Sequence, residues 1–300
     1  MAVEAAIVMP MMVFLTLGIL QLTMVQHAKL MTEYAAYQAA RAGIVWNGNP
    51  MRMHDAAVIA LLPTFGRTDT LTRIGTTWER QQQVDEILRQ AAWNAADVPQ
   101  PNDLNGANLF GMVRVDTLSP AYFSPIDSMW KLREQANWKE LDFDGPETYP
   151  EVPALDAKLP NFFNLALPDD AQEAYRKSTR LTIRLRYWYE MRVPFANQVI
   201  FTTWYATNAG VVLGGILGGP TTGREGLMQQ AVGISHQKGF NTVYAPEMWA
   251  LWRIANGEEA ISGQLGGKKY YLPLTATHTM RMQSNFHRKW IMHLQPDWGF

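Results

Sequence analysis

Glu4 stands almost alone in a long apolar run. From Ala2 to Met24 the chain reads AVEAAIVMPMMVFLTLGILQLTM, with Glu4 its single charge, and the next ionised side chain is Lys29. The run is about 23 residues, long enough to cross a bilayer. A carboxylate in such a segment is costly in hydrocarbon, so it marks a functional site by default. Its nearest class of counter-charge is an α-amino group at a chain start, such as that of Met1. Within one chain that pairing is sterically awkward. A neighbouring copy of the same helix supplies it more readily, which points to a chain that sits in the membrane as a monomer and then packs side by side with itself. The bland reading is an interfacial carboxylate that only reaches headgroup water. At about 4 Å and an effective dielectric of ~20, the Coulomb attraction is about 4 kcal/mol. Most of that is offset by desolvation, so such a pair sets axial register more than it adds stability.

The flanks of the run constrain the compartment. No Lys or Arg precedes it, and Lys29 and Arg41 follow it. Read as an intact chain, that bias places the rest in the cytoplasm. Read as a chain whose basic leader has been removed, it allows the rest to lie outside, which is the favoured expectation. The segment is not an ordinary secretory signal, because Ala-rich helix follows it without a cleavage site.

With 26 basic and 27 acidic residues the chain is close to neutral, so electrostatics give no case for nucleic acid. The absence of cysteine excludes a thiolate enzyme, a cysteine-based zinc site and a disulfide framework. Beyond the N-terminal 45 or so residues, roughly 250 remain, enough to bury a core. With 11 Trp, 11 Tyr and 12 Phe, aromatic side chains are expected to supply the packing.

The pattern predicts one long helix over residues 2–46, kinked or locally opened at Pro10 and softened at Gly18. At 1.5 Å per residue its length is roughly 65 Å, twice a bilayer core, so its second half projects and carries the domain. Ala35, Ala36, Ala39, Ala40 and Ala42 favour helix and allow close approach. Asn47-Gly48-Asn49-Pro50 is a stop. A short helix over 51–62, ended by Pro63, follows. Asp69 is expected to cap a helix running to about Ala96. A strand is expected at Met112–Leu118, then mostly loop to 172 with a short helix at Ser128–Trp138, and a helical turn at Asp169–Lys177.

The strongest strand signal is 179–193, with Leu181, Ile183 and Leu185 on one face and Arg180, Thr182, Arg184 and Arg186 on the other. That polar face reads as solvated or subunit-facing, with a ligand groove as the sharper alternative. Val199–Tyr205 reads as a further strand, and Gly210–Gly219 as a mobile apolar loop or hairpin, with a small-residue contact to another subunit as the sharper alternative. Residues 224–239 read as loop and 245–255 as helix. Lys269–Met282 and Arg288–Leu294 read as strands.

Motifs for chemistry are weak. Asp142-Phe143-Asp144-Gly145 opens like a calcium loop but lacks the distal bidentate Glu. His278, His287 and His293 lack helix-borne metal spacing and read as structural. Gly233-Ile234-Ser235-His236 is not a nucleophile elbow, and no phosphate loop or dinucleotide fingerprint is present. No cofactor, no metal and no enzymatic activity are expected.

Two stretches carry a resemblance. Ala2-Val3-Glu4-Ala5-Ala6-Ile7-Val8-Met9-Pro10, then the apolar run, then Gln38-Ala39-Ala40-Arg41-Ala42-Gly43 resemble the TadE/TadG-like pilins of the tight-adherence (Tad) pilus, a branch of the type IV filament superfamily. Tyr270–Met282 is more weakly similar to that family's late strand. The acidic residue stands one place nearer the chain start than in most of those pilins. The resemblance implies an inner-membrane prepilin whose leader is cut just before Met1, or one residue earlier, by a prepilin peptidase. An inner-membrane assembly platform then moves the helix into an extracellular filament on the bacterial surface. Glu4, Met1 and Pro10 become the assembly residues, and Ile7, Val8, Phe14, Leu15, Leu17, Ile19, Leu20 and Leu22 the membrane and filament-core face. Partners are identical subunits in a helical homopolymer and other pilins.

The expected fold is α+β, with a helix over 1–46 packed on an antiparallel sheet within an extracytoplasmic domain over 47–300 that has further helices and long loops. The expected function is a structural pilin for adhesion or surface contact. The alternatives are a single-pass anchored binding protein or enzyme, and a secretion-system pseudopilin.

Overall fold

A computed structural model describes residues 2–96, 110–119, 140–141, 180–217, 245–287 and 290. The fold is α+β. Its elements, in chain order, are α1 (Ala2–Val45), α2 (Pro50–Phe65), α3 (Leu71–Ala96), β1 (Val113–Ser119), β2 (Glu140–Leu141), β3 (Arg180–Glu190), α4 (Ala196–Leu217), α5 (Ala245–Asn256), α6 (Glu259–Ser262), β4 (Tyr271–Arg281) and β5 (Phe286–His287). Strands β1, β3 and β4 form an antiparallel sheet in that order, and β2 pairs with β5 through Glu140–His287 and Leu141–Phe286. Two compact units divide the chain. The first comprises Met1–Glu33, Leu61–Arg114 and Arg186–Ala276, and the second Tyr34–Ala60, Val115–Leu185 and Thr277–Phe300.

In the second unit the outer part of α1 is a core element. Ala35, Ala36, Ala39, Ala40 and Ile44 are buried, at the three- and four-residue spacing of one helix face. Small side chains there let neighbours come close to the backbone. A Cβ on Gly43 would lie 2.7 Å from Met53 Sδ and would also meet Leu181. Tyr37 meets His278 edge-on at 5.3 Å between centroids. The stop is built as its sequence suggests. Asn47 and Gly48 take φ of 57° and 73°, and the Gly48 amide donates to Gly43 O at 2.8 Å. Only glycine suits position 48, because a Cβ would enter the Phe286 ring. Asn49 Oδ1 then accepts the amides of Met51 (3.0 Å) and Arg52, capping α2 with Pro50 as its first residue.

The first unit holds an aromatic core. Tyr187 and Trp188 are buried on β3; Phe201 stacks on Tyr205 at 5.8 Å and contacts Tyr270 at 5.6 Å. Helix α5 packs mainly on α3 and also touches α4.

Several expectations fail for identifiable reasons. Val199–Tyr205 is not a strand but part of α4, whose Phe201, Trp204 and Tyr205 recur at helical spacing. β-branched and aromatic composition misled the local reading. Helix α4 also runs on to Leu217, so the expected loop at Gly210–Gly219 is helical as far as that residue. Helix α2 passes Pro63 and ends at Phe65, because Arg192 donates to the carbonyls of Thr64 (3.1 Å) and Phe65 (2.6 Å) and closes the last turn. Thr70, not Asp69, faces the start of α3: its Oγ1 accepts the Arg73 amide at 3.4 Å, while Asp69 pairs with the Arg73 guanidinium. The expected helix at Ser128–Trp138 and helical turn at Asp169–Lys177 lie outside the described residues. So do Asp142–Gly145, Gly233–His236, His293 and, apart from Trp290, the strand expected at Arg288–Leu294.

Strand β3 departs from strict alternation. Leu181, Ile183 and Leu185 are buried as expected, but from Leu185 to Tyr189 every residue is buried. Arg186, expected on a solvated or subunit-facing surface, is fully enclosed. It pairs with Glu247, donates to Gly111 O, and lies 4.9 Å from the centre of the Trp188 ring. Its partner comes from α5, 61 positions away, which no local pattern announces.

Candidate functional site

The most unusual surface belongs to the first half of α1. Met9, Met11 and Leu15 are 72%, 69% and 62% exposed, whereas Ala28 further along the same helix is 1% exposed and Thr32 and Ala36 are not exposed at all. Val8, Phe14, Ile19, Leu20 and Leu22 are likewise exposed, Leu17 is half-buried, and the helix is unbroken through Pro10 and Gly18. Glu4 and Ile7 lie on α1 with side chains outside the described residues; Met1 lies outside them altogether.

Water is a poor environment for this surface. Each large apolar side chain gains about 1.5–3 kcal/mol on full burial, and a soluble monomer rarely bares so large a contiguous patch. Hydropathy alone marks the span from Val8 as able to cross a membrane. Its threonine hydroxyls are satisfied within the helix. Thr16 Oγ1 donates to Val13 O at 2.8 Å and Thr23 Oγ1 to Ile19 O at 2.9 Å, as a hydroxyl in hydrocarbon requires.

From Gln21 onwards one face of the helix is covered. Gln21 is fully buried, and its Oε1 accepts the Val193 amide at 2.9 Å. Two turns later the Lys29 ammonium donates to Thr275 O and lies 3.8 Å from Glu33. Sequence reasoning passed over Gln21, although an amide inside a run of Ile, Leu and Met was signal enough. It marks the point where α1 acquires a protein neighbour in the first unit.

These features define a class: an α+β protein carried on one long helix whose leading half is apolar and uncovered. A TadE-like protein family model matches residues 1–41, the bare stretch and most of the buried continuation. No curated protein and no solved structure matches the chain. The TadE-like family is structural and pilus-related. The match and the apolar helix together are consistent with a Tad-pilus-related protein held in a membrane by its N-terminus.

Proposed function

We propose that this chain is a structural pilin subunit that waits in the inner membrane and polymerises through α1 into an extracellular Tad-type filament for adhesion or surface contact. The observation that carries this reading is the continuity of α1. The same 44-residue helix is bare and apolar in its first half and a buried core element in its second, with no linker between. A simple anchor needs no rigid coupling to its domain. A helical polymer does, because each core helix has to hold its outer domain at a fixed orientation and rise.

Glu4 sets the axial register in this reading, against the α-amino group of a neighbouring copy. Glu4→Ala is expected to leave the protein in the inner membrane and reduce surface filaments, and Glu4→Gln tests the charge at nearly constant shape. The measurement is electron microscopy of sheared cell-surface material, with the chain identified by mass spectrometry. Normal filament yield from both variants would refute the register role. Absence of the chain from any sheared fibre would favour an anchor or a pseudopilin.

A further inference from the structure

In the first unit a cleft of about 550 Å³ is lined by α3, the end of β3, the start of α4 and the segments after α2 and before β4. Its charged lining is strongly one-sided. Arg67, Arg80, Arg192, Lys268 and Lys269 contribute cations, against a single carboxylate, Glu190. In a chain of net charge −1 this is a local concentration, not a reflection of composition. Two of the cations are already engaged: Lys269 pairs with Glu190, and Arg192 holds the last carbonyls of α2. Arg67, Arg80 and Lys268 are exposed and have no carboxylate partner among the described residues. Such a cluster repels itself until an anion enters.

The cleft's position indicates which anion. Arg192 is followed directly by Val193, whose amide is held by Gln21 of α1. Two residues further on is Phe195, which is 70% exposed and held at φ 63°, a conformation costly for a bulky side chain. Val199, one turn into α4, is exposed as well. A basic cleft, an outward aromatic and the end of an apolar helix therefore occur together, as at a membrane–water interface.

We propose that this cleft binds a phosphate-bearing anion, presented at the membrane surface by an anionic phospholipid headgroup, with Phe195 dipping into the acyl boundary beside it. Arg67, Arg80 and Lys268 supply the recognition. Zwitterionic choline headgroups are disfavoured, because they bring a cation with the phosphate. The lipid part of the proposal rests on α1 being seated in the membrane; the phosphate part does not.

The test uses the full chain in nanodiscs. Phosphatidylglycerol mixed into phosphatidylcholine is expected to be enriched among lipids retained on the protein after detergent extraction, measured by lipid mass spectrometry. In the triple variant Arg67→Gln, Arg80→Gln, Lys268→Gln the enrichment is expected to be lost, with circular dichroism and the unfolding midpoint unchanged. Calorimetry with glycerol phosphate and inorganic phosphate, in neutral nanodiscs, separates the sources. Phosphate binding lost in the triple variant without phosphatidylglycerol enrichment overturns the lipid source and supports a soluble phosphate. Phe195→Ser should lower lipid retention and leave glycerol phosphate binding alone; equal retention refutes its wedge role. Enrichment unchanged in the triple variant, absence of binding in both arms, or binding of an oligonucleotide in place of either phosphate ligand overturns the proposal. Failure to enter nanodiscs of any composition would instead defeat the membrane reading of α1, and the phosphate titration, run on the full chain in detergent, would still decide the cleft.

Discussion

Arg186 and Glu247 form an ion pair with almost no solvent contact. Removing water from two charges costs several kcal/mol each, so the pair contributes little net stability, yet breaking one side is severe. Glu247→Ala is expected to destabilise the fold by about 3–5 kcal/mol, because it leaves the guanidinium buried without its carboxylate. The double variant Arg186→Met, Glu247→Leu is expected to lie close to the parent. Denaturant unfolding of the three proteins decides it, and a double variant as weak as the single one would show that the pair is itself stabilising. Buried tyrosines make a second prediction at this scale. Burial raises Tyr187, whose hydroxyl bonds Thr64 Oγ1 at 2.9 Å, and also raises Tyr271. A folded-state value above the unfolded one, about 10 for tyrosine, means the contribution is complete below pH 10 and is lost as pH rises beyond it. Tyrosinate absorbance of these two residues should therefore appear together with alkaline unfolding. Ionisation well before unfolding would contradict their burial.

Helix α1 behaves as two elements in one. Its first half presents large apolar residues to its surroundings, and from Ala28 onwards it turns small residues inward. A chain beginning near His27 keeps the inward face, and the expectation is a soluble monomer unable to polymerise. A chain beginning at Asn47 loses Ala35, Ala36, Ala39, Ala40 and Ile44 from the core and should fail to fold. Size exclusion and circular dichroism of the two fragments check this. A folded, soluble fragment from Asn47 would mean that the outer half of α1 is dispensable packing.

For the whole molecule, the proposed function implies a polymer held by its centre. Outside a membrane, a bare apolar helix finds a favourable environment only among copies of itself. With several such side chains per copy at about 1.5–3 kcal/mol each, burial outweighs any single ion pair. Filaments should survive molar salt, which only screens Glu4, and dissolve in detergent, which replaces the apolar neighbours. Negative-stain counts after each treatment test this. Fibres that dissolve in salt and persist in detergent would show that the outer domains hold them together.

The sequence by itself determined the elements whose cause is local. Uniform hydrophobicity and alanine content fix α1, Asn47–Pro50 fixes its end, and period-two alternation fixes the start of β3. The apolar run also makes the candidate surface legible from the residues alone. What the tertiary structure decided depends on partners distant in the chain. α2 outlasts Pro63 because Arg192 satisfies its final carbonyls. Arg186 is buried because Glu247 arrives from α5. α4 is helical despite strand-like composition, its buried Phe201 meeting Tyr270 from the turn before β4. The basic cleft draws on α3, the end of β3 and the turns that follow α2 and precede β4, so no window of sequence contains it. Local patterning records which face of an element is apolar. It does not record which charge or ring will meet that face, because that is set by chain segments brought together only on folding.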